Sequence, residues 1–216
     1  MTTNRQVFDQ IAESWYRVRH WPLLRDELDA LAARWQSGNL LNVGCAHGPD
    51  FLPFAQTFEL NGLDVSVAML RQAMTYSAKF RFYVNLISGD ALFLPFANNT
   101  FDWAISVATY HHIKGGQERE KAFEELRRVL KPKGEAFVTV WNRGQPRFWF
   151  RSKEQRVPWR LKERTVYRYY HLFSYRELRK ALIRSGWAIV AMSPEKSYHF
   201  PIREFSHNIC VLVKKC

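Results

Sequence analysis

The segment LLNVGCAHG, residues 40–48, sets a short apolar run against two glycines, Gly44 and Gly48. Glycine at such a turn lets backbone approach a bound group closely. About twenty residues later, LNGLD closes a second apolar run on Asp64, from which one carboxylate can accept hydrogen bonds from ribose hydroxyls. SGDA, residues 88–91, brings Asp90 and Ala91 to a third such end, where an acid can meet an adenine amino group. TFDWAIS at 100–106 adds a fourth run pointing into the same crevice, and LKPKG at 130–134 supplies the turn before a fifth. The series implies a nucleoside-bearing cofactor bound across successive strand ends, and a nicotinamide dinucleotide would suit the same geometry.

Strand ends in register need a sheet to hold them. Apolar runs predict strands at residues 40–43, 58–64, 81–87, 103–107, 135–141, 188–192 and 209–213, with helices at 50–57, 67–77, 117–130 and 175–185. This alternation predicts an α/β fold, a mostly parallel sheet covered by helices on both faces. Ahead of it Val7, Ile11, Trp15 and Val18 share one helical face, and Leu24, Leu28, Leu31 and Trp35 another, with Pro22 where a helix can begin. A length of 216 residues suits one domain, with N-terminal helices over 5–36 and an insertion over 143–168.

Net charge is +12, and residues 143–168 hold nine Arg and Lys against only Glu154 and Glu163. That concentration points to a polyanionic partner. No apolar run approaches the roughly 18 residues that span a bilayer, and the polar opening residues carry no secretory signal. The three cysteines, Cys45, Cys210 and Cys216, are scattered without metal spacing and suit a reducing compartment. A soluble, cytoplasmic protein with no metal site is expected.

The ordered residues resemble the class I S-adenosylmethionine-dependent methyltransferases over about residues 38–142 plus the last two strands. The resemblance implies a Rossmann-like, seven-stranded, mostly parallel sheet and S-adenosylmethionine as cofactor. It assigns Gly44 and Gly48 to the cofactor loop, Asp64 to the ribose, Asp90 with Ala91 to the adenine side, and Asn42, Cys45, Ala46, Val65 and Val107 to the surrounding pocket. Two residues depart from the pattern, Asn42 where an acid is usual and Ala46 where glycine is usual, so the loop has lost a negative charge and some backbone freedom.

Three further segments, residues 7–22 (VFDQIAESWYRVRHWP), 101–112 (FDWAISVATYHH) and 168–178 (RYYHLFSYREL), are similar to the transfer RNA wobble-uridine carboxymethyl methyltransferases. That family esterifies the carboxylate of a 5-carboxymethyluridine and commonly works with a small zinc-containing activator protein. The implied chemistry needs little acid-base machinery, because the carboxylate is already ionised and the sulfonium already activated. Alignment and exclusion of water should dominate. Arg19 or Arg168 could orient the carboxylate or a neighbouring phosphate through paired hydrogen bonds. His112 and His171 join them as candidate catalytic groups, although either could instead hold structure at a strand end. Trp15, Trp21, Tyr169 and Tyr170 could stack on an extruded base, although an aromatic at helical spacing, Trp15 above all, reads better as core, and Trp21, Trp141 and Tyr169 are the expected substrate-binding residues among the aromatics. Cys45 should pack against cofactor or sheet, since the reaction needs no thiol nucleophile. Arg151, Lys153 and Arg156 are expected on the RNA side.

The 80–87 run, apolar on both faces and placed by the class topology at a sheet edge, is where the activator would add a strand. Two other functions share part of this pattern. A small-molecule, quinone-type methyltransferase would keep the cofactor series and the double histidine. A catalytically silent RNA-binding or partner-binding scaffold would follow if Asn42 and Ala46 disabled the cofactor loop.

Overall fold

The computed structural model describes residues 3–216. Helix α1 (Asn4–Val18) opens on a capping box, in which the Thr3 hydroxyl accepts from the Gln6 N–H and the Gln6 side chain accepts from the Thr3 N–H. Helix α2 (Arg25–Trp35) follows. The sheet strands are β1 (Gly38–Val43), β2 (Phe58–Asp64), β3 (Asn85–Ser88), β4 (Phe101–Val107) and β5 (Leu130–Trp141), then β8 (Trp187–Pro194) and β9 (Asn208–Lys215). Between them lie α3 (Val67–Phe80), α4 (Gly116–Val129) and α5 (Tyr175–Arg184). The seven strands run in the order β3-β2-β1-β4-β5-β9-β8, and β9 alone is antiparallel to its neighbours.

Alternation along β1 divides the core. Leu41 and Val43 face Phe123 and Leu126 of α4 and Leu178 and Leu182 of α5, while Leu40 faces Leu28 and Trp35 of α2 with Phe51 and Phe54. The expected helix over 50–57 is only a 3-10 turn, Pro49–Phe54, because Pro53 has no N–H to extend it.

The expected strand over 80–87 is corrected. Its first part belongs to α3, which runs through Phe80 and ends on Arg81 in the left-handed region at φ 57°. Edge strand β3 keeps four residues, and Phe82, Val84 and Leu86 turn inward onto the α2 side of the core. The outer face is polar, with the Tyr83 hydroxyl donating to Asn85 Oδ1 and the Asn85 amide donating to Asn61. The edge position is as expected, but the strand is half the expected length and not apolar on both faces.

The basic insertion is ordered as well. It forms a hairpin that the sequence reading did not anticipate, β6 (Glu154–Arg160) paired antiparallel with β7 (Thr165–His171). The hairpin lies apart from the main sheet and packs on α1, where Trp159 sits 5.0 Å from Trp15 and donates to Ser14 Oγ at 2.9 Å. Asn4 clamps the other side, donating to the carbonyls of Tyr169 and His112 and accepting the Tyr169 N–H.

Candidate active site

A cavity of about 380 Å³ opens at the carboxyl ends of β1, β2 and β4, the crevice in which open α/β sheets bind ligands. Its floor is the turn after β1, where Gly44, Ala46 and Gly48 all take positive φ, at 74°, 48° and 88°. A Cβ on Gly44 would lie 2.2 Å from Thr109 Oγ1, so no other residue fits there. Ala46 accepts the strain that glycine would avoid, on the order of 1–2 kcal/mol. Its N–H donates to Asp64 Oδ2 at 2.9 Å, while Ser66 N–H donates to Asp64 Oδ1 at 2.8 Å. Both carboxylate oxygens are thereby aimed by backbone, with lone pairs left for a ligand.

Of the expected cofactor residues, Gly44, Cys45, Ala46, Asp64, Val65, Asp90, Ala91 and Val107 line this cavity. Asn42 does not. It is fully buried below the floor, and both polar atoms of its side chain lack partners. Gly48 shapes the turn without reaching the lining, and burial pushes the Cys45 thiol well up, away from a reactive thiolate. Asp50 is a lining carboxyl that the sequence reading missed. Burial raises it to about 7 against the opposing pull of the Arg19 guanidinium, and the same cause raises Asp64 to about 6 despite its backbone donors.

The opposite wall is aromatic and cationic. Trp15, Arg19, Trp21, His112, Trp141 and Tyr170 line it. His112 Nδ1 donates to the Tyr169 carbonyl at 2.9 Å, and burial holds the ring neutral, with its pKa lowered to about 3. Arg19 lies over Trp15 at 4.6 Å. Arg168 is buried against Trp15, Trp159 and Tyr170 with its Nε unpartnered, one layer behind the lining.

Period-two alternation along β7 decides the remaining expectations. Arg168 and Tyr170 point to the cavity side, so Tyr169 and His171 point away. The Tyr169 hydroxyl donates to Glu154. His171 Nε2 meets Glu177 Oε1 at 2.8 Å, a junction role rather than a cavity contact. Lys153 shares that Glu177, and Arg151 and Arg156 are solvent-exposed outside the cavity. Arg147 had been passed over in sequence, yet it stacks on Trp141 at 4.9 Å and Phe148 at 4.6 Å beside this wall.

A family model described as a methyltransferase domain matches residues 41–138. A protein of Encephalitozoon cuniculi (strain GB-M1), carried under the provisional name of methyltransferase, is 31% identical over 195 residues, which is 87% of each chain. The chain belongs to the S-adenosylmethionine-dependent methyltransferases. A tRNA (carboxymethyluridine(34)-5-O)-methyltransferase of Mus musculus is 32% identical over 139 residues, 63% of this methyltransferase but 19% of that longer protein. A protein of the same name from Schizosaccharomyces pombe is 26% identical over 227 residues, with 92% of this chain and 94% of that one covered. In fold, the CcbJ methyltransferase of Streptomyces caelestis matches over the full length of both chains, with a TM-score of 0.80 at 17% identity.

The donor set of this methyltransferase fits its cofactor. The fixed carboxylate of Asp64 suits a diol, Asp90 beside the apolar Ala91 suits an amino-bearing ring, and Asp50, with no hydrogen-bond donor of its own among the described residues, suits a cationic head. A catalytically silent scaffold is therefore set aside.

The two raised carboxyls make binding pH-dependent. Their folded pKa values, about 6 and 7, lie above the ordinary value near 4, so the empty protein holds extra protons in that window and loses their stabilisation as pH rises through it. A cationic ligand favours the ionised forms. Affinity for S-adenosylmethionine should therefore climb between about pH 5.5 and 7.5, with net proton release at pH 6.5, measured by calorimetry in two buffers of different ionisation enthalpy. Zero release would take both carboxyls out of contact with the ligand.

Proposed function

We propose that this methyltransferase esterifies the carboxylate of a 5-carboxymethyluridine at the wobble position of transfer RNA, in the cytoplasm, where its free cysteines would stay reduced. The observation that carries this reading is the placing of three guanidinium groups against the aromatic wall, Arg19 over Trp15 at 4.6 Å, Arg147 over Trp141 at 4.9 Å and Arg168 over Tyr170 at 5.3 Å. Arg147 and Arg168 have no carboxylate beside them among the described residues, Arg19 faces only the raised Asp50 carboxyl, and burial lowers the pKa of all three. A buried cation without an anion, such as Arg168, is costly to hold, and an anionic substrate is what would compensate it. The aromatic wall of Trp15, Trp21, Trp141 and Tyr170 suits a base taken out of its stack. Two relatives bear the name of this activity.

The bound cofactor supplies an already activated methyl group. The chain has to place the carboxylate oxygen against it and strip away water. No general base is required, which agrees with a His112 held neutral and bonded to backbone. Three arginines closing on one carboxylate would blunt it as a nucleophile, so at least one is assigned to a neighbouring phosphate.

The test is labelled methyl transfer to bulk transfer RNA from cells lacking this chain, followed by nucleoside analysis. Label should appear in one modified uridine and leave on mild alkaline hydrolysis, as an ester does. Alkali-stable label would mean methylation of a base or ribose atom, and no label in RNA would favour a small-molecule substrate.

A further inference from the structure

A second concavity lies on the far side of the wall formed by Trp141 and Phe148, whose rings are 6.2 Å apart. At about 860 Å³ it is more than twice the size of the cofactor cavity. Arg143, Arg176, Arg179 and Arg203 line it, and Glu204, paired with Arg203 at 3.1 Å, is its one lining acid. Arg176 and Arg179 stand three residues apart on the exposed first turns of α5. The aromatic residues are fixed in place. The Trp149 indole N–H donates to the Gly144 carbonyl at 2.8 Å and its ring packs on Phe205, yet the residue is 52% exposed. Arg203 covers the Tyr175 ring at 5.0 Å.

A half-exposed indole held by a hydrogen bond beside unpaired guanidiniums is an arrangement for stacking one flat ring while neutralising the charges next to it. Single-stranded nucleic acid presents that alternation, a phosphate and a base per residue. The position agrees. A uridine drawn into the cofactor cavity stays covalently joined to its neighbours, and Phe148, which lines the groove, packs on Trp141, which lines the cavity.

We infer that this groove holds the single-stranded nucleotides flanking the substrate base, with Arg176 and Arg179 on phosphates and Trp149 stacked on a base. The inference rests on the proposed reaction with transfer RNA. It also assigns RNA contact to residues other than the expected Arg151, Lys153 and Arg156, none of which lines the groove.

The full chain, saturated with S-adenosylhomocysteine, is titrated by fluorescence anisotropy with bulk transfer RNA and with a labelled hexa-uridylate over a range of salt. Arg176→Ala with Arg179→Ala should weaken both by tenfold or more. It should also flatten the salt slope for the oligonucleotide by about 1.4, two contacts at roughly 0.7 each. Trp149→Ala should weaken binding about fivefold or more with the slope unchanged, and Trp149→Phe should restore most of it. Cofactor affinity should match wild type throughout, and so should the melting temperature of the arginine variant, whereas Trp149→Ala also loses the bond to Gly144 and the packing on Phe205 and should melt somewhat lower. Wild-type chain that binds no transfer RNA would overturn the proposed function. Wild-type chain that binds and methylates transfer RNA while all three variants keep its affinity and slope would overturn the groove alone, and would leave it to another occupant such as an acidic protein segment.

Discussion

Asp64→Ala is expected to reduce cofactor affinity by between about 30-fold and 1000-fold, the equivalent of roughly 2–4 kcal/mol for a charged acceptor serving two hydroxyls. The loss has two sources. One is the acceptor itself, whose oxygens line the cavity. The other is the floor, because Asp64 is the side chain that accepts from the Ala46 N–H and so holds a strained left-handed alanine in place. The empty protein should suffer less. Removing the carboxylate orphans two backbone donors, Ala46 and Ser66, but it also removes a buried group whose ionised form is disfavoured. Calorimetric titration with S-adenosylhomocysteine, alongside melting curves of the free proteins, separates the two effects. Wild-type affinity in Asp64→Ala would remove this carboxylate from the site.

Arg168→Met should move activity and stability in opposite directions. The guanidinium is buried, has no carboxylate partner and keeps an unsatisfied Nε. Three aromatic rings around it recover part of that cost through cation–π contact. A methionine of similar length fills the space without a charge and still packs on the rings. The melting temperature of the cofactor-free protein should rise, by the equivalent of about 1 kcal/mol. Methyl transfer to RNA should fall by at least about a hundredfold, because the charge that compensates the anionic substrate is gone. Cofactor affinity should hold, since Arg168 does not line the cavity floor. A destabilised variant that keeps its activity would make Arg168 an ordinary structural residue.

Most of the cofactor half of the site was legible in the sequence, because its signals are local. The β1 turn is marked by Gly44 and Gly48, and Asp64 closes an apolar run, so each could be read without knowing what packs beside it. The substrate half depends on contacts that the chain makes far from home. The alternation of Gln155, Val157 and Trp159 with that of Val166, Arg168 and Tyr170 is a strand pattern, but nine cations in the same stretch masked it as a polar insertion. Without the hairpin, His171 and Tyr170 could not be assigned to opposite faces, and nothing separated Tyr170 from Tyr169 as a stacking residue. Nothing local marks Arg147, which becomes informative only once Trp141 and Phe148 are seen beneath it. At residues 80–87 the aromatic and β-branched run fits a helix end as well as a strand, and packing of Phe82 and Val84 on the core settled it.

The Asn4 clamp on the hairpin has a consequence in time. Its partners on β7 lie 165 residues away in sequence, and the Trp159 bond to Ser14 spans 145. Closing a loop of that length costs about 2 kcal/mol more than closing one of 15 residues, and on the ribosome the Trp159 contact needs β6 and the Asn4 contact needs β7 to have emerged. The sheet strands β1 to β5 are all made earlier. Helix α1 can already pack on α3, where Asp9 accepts from Ser66 and Ala68, but its other face waits for the hairpin, and the substrate side of the cavity gains its shape only then. A ribosome-bound fragment ending before the hairpin can already hold the cofactor turn and Asp64 while it has no closed substrate wall, so cofactor binding and RNA methylation should arise at different chain lengths during synthesis.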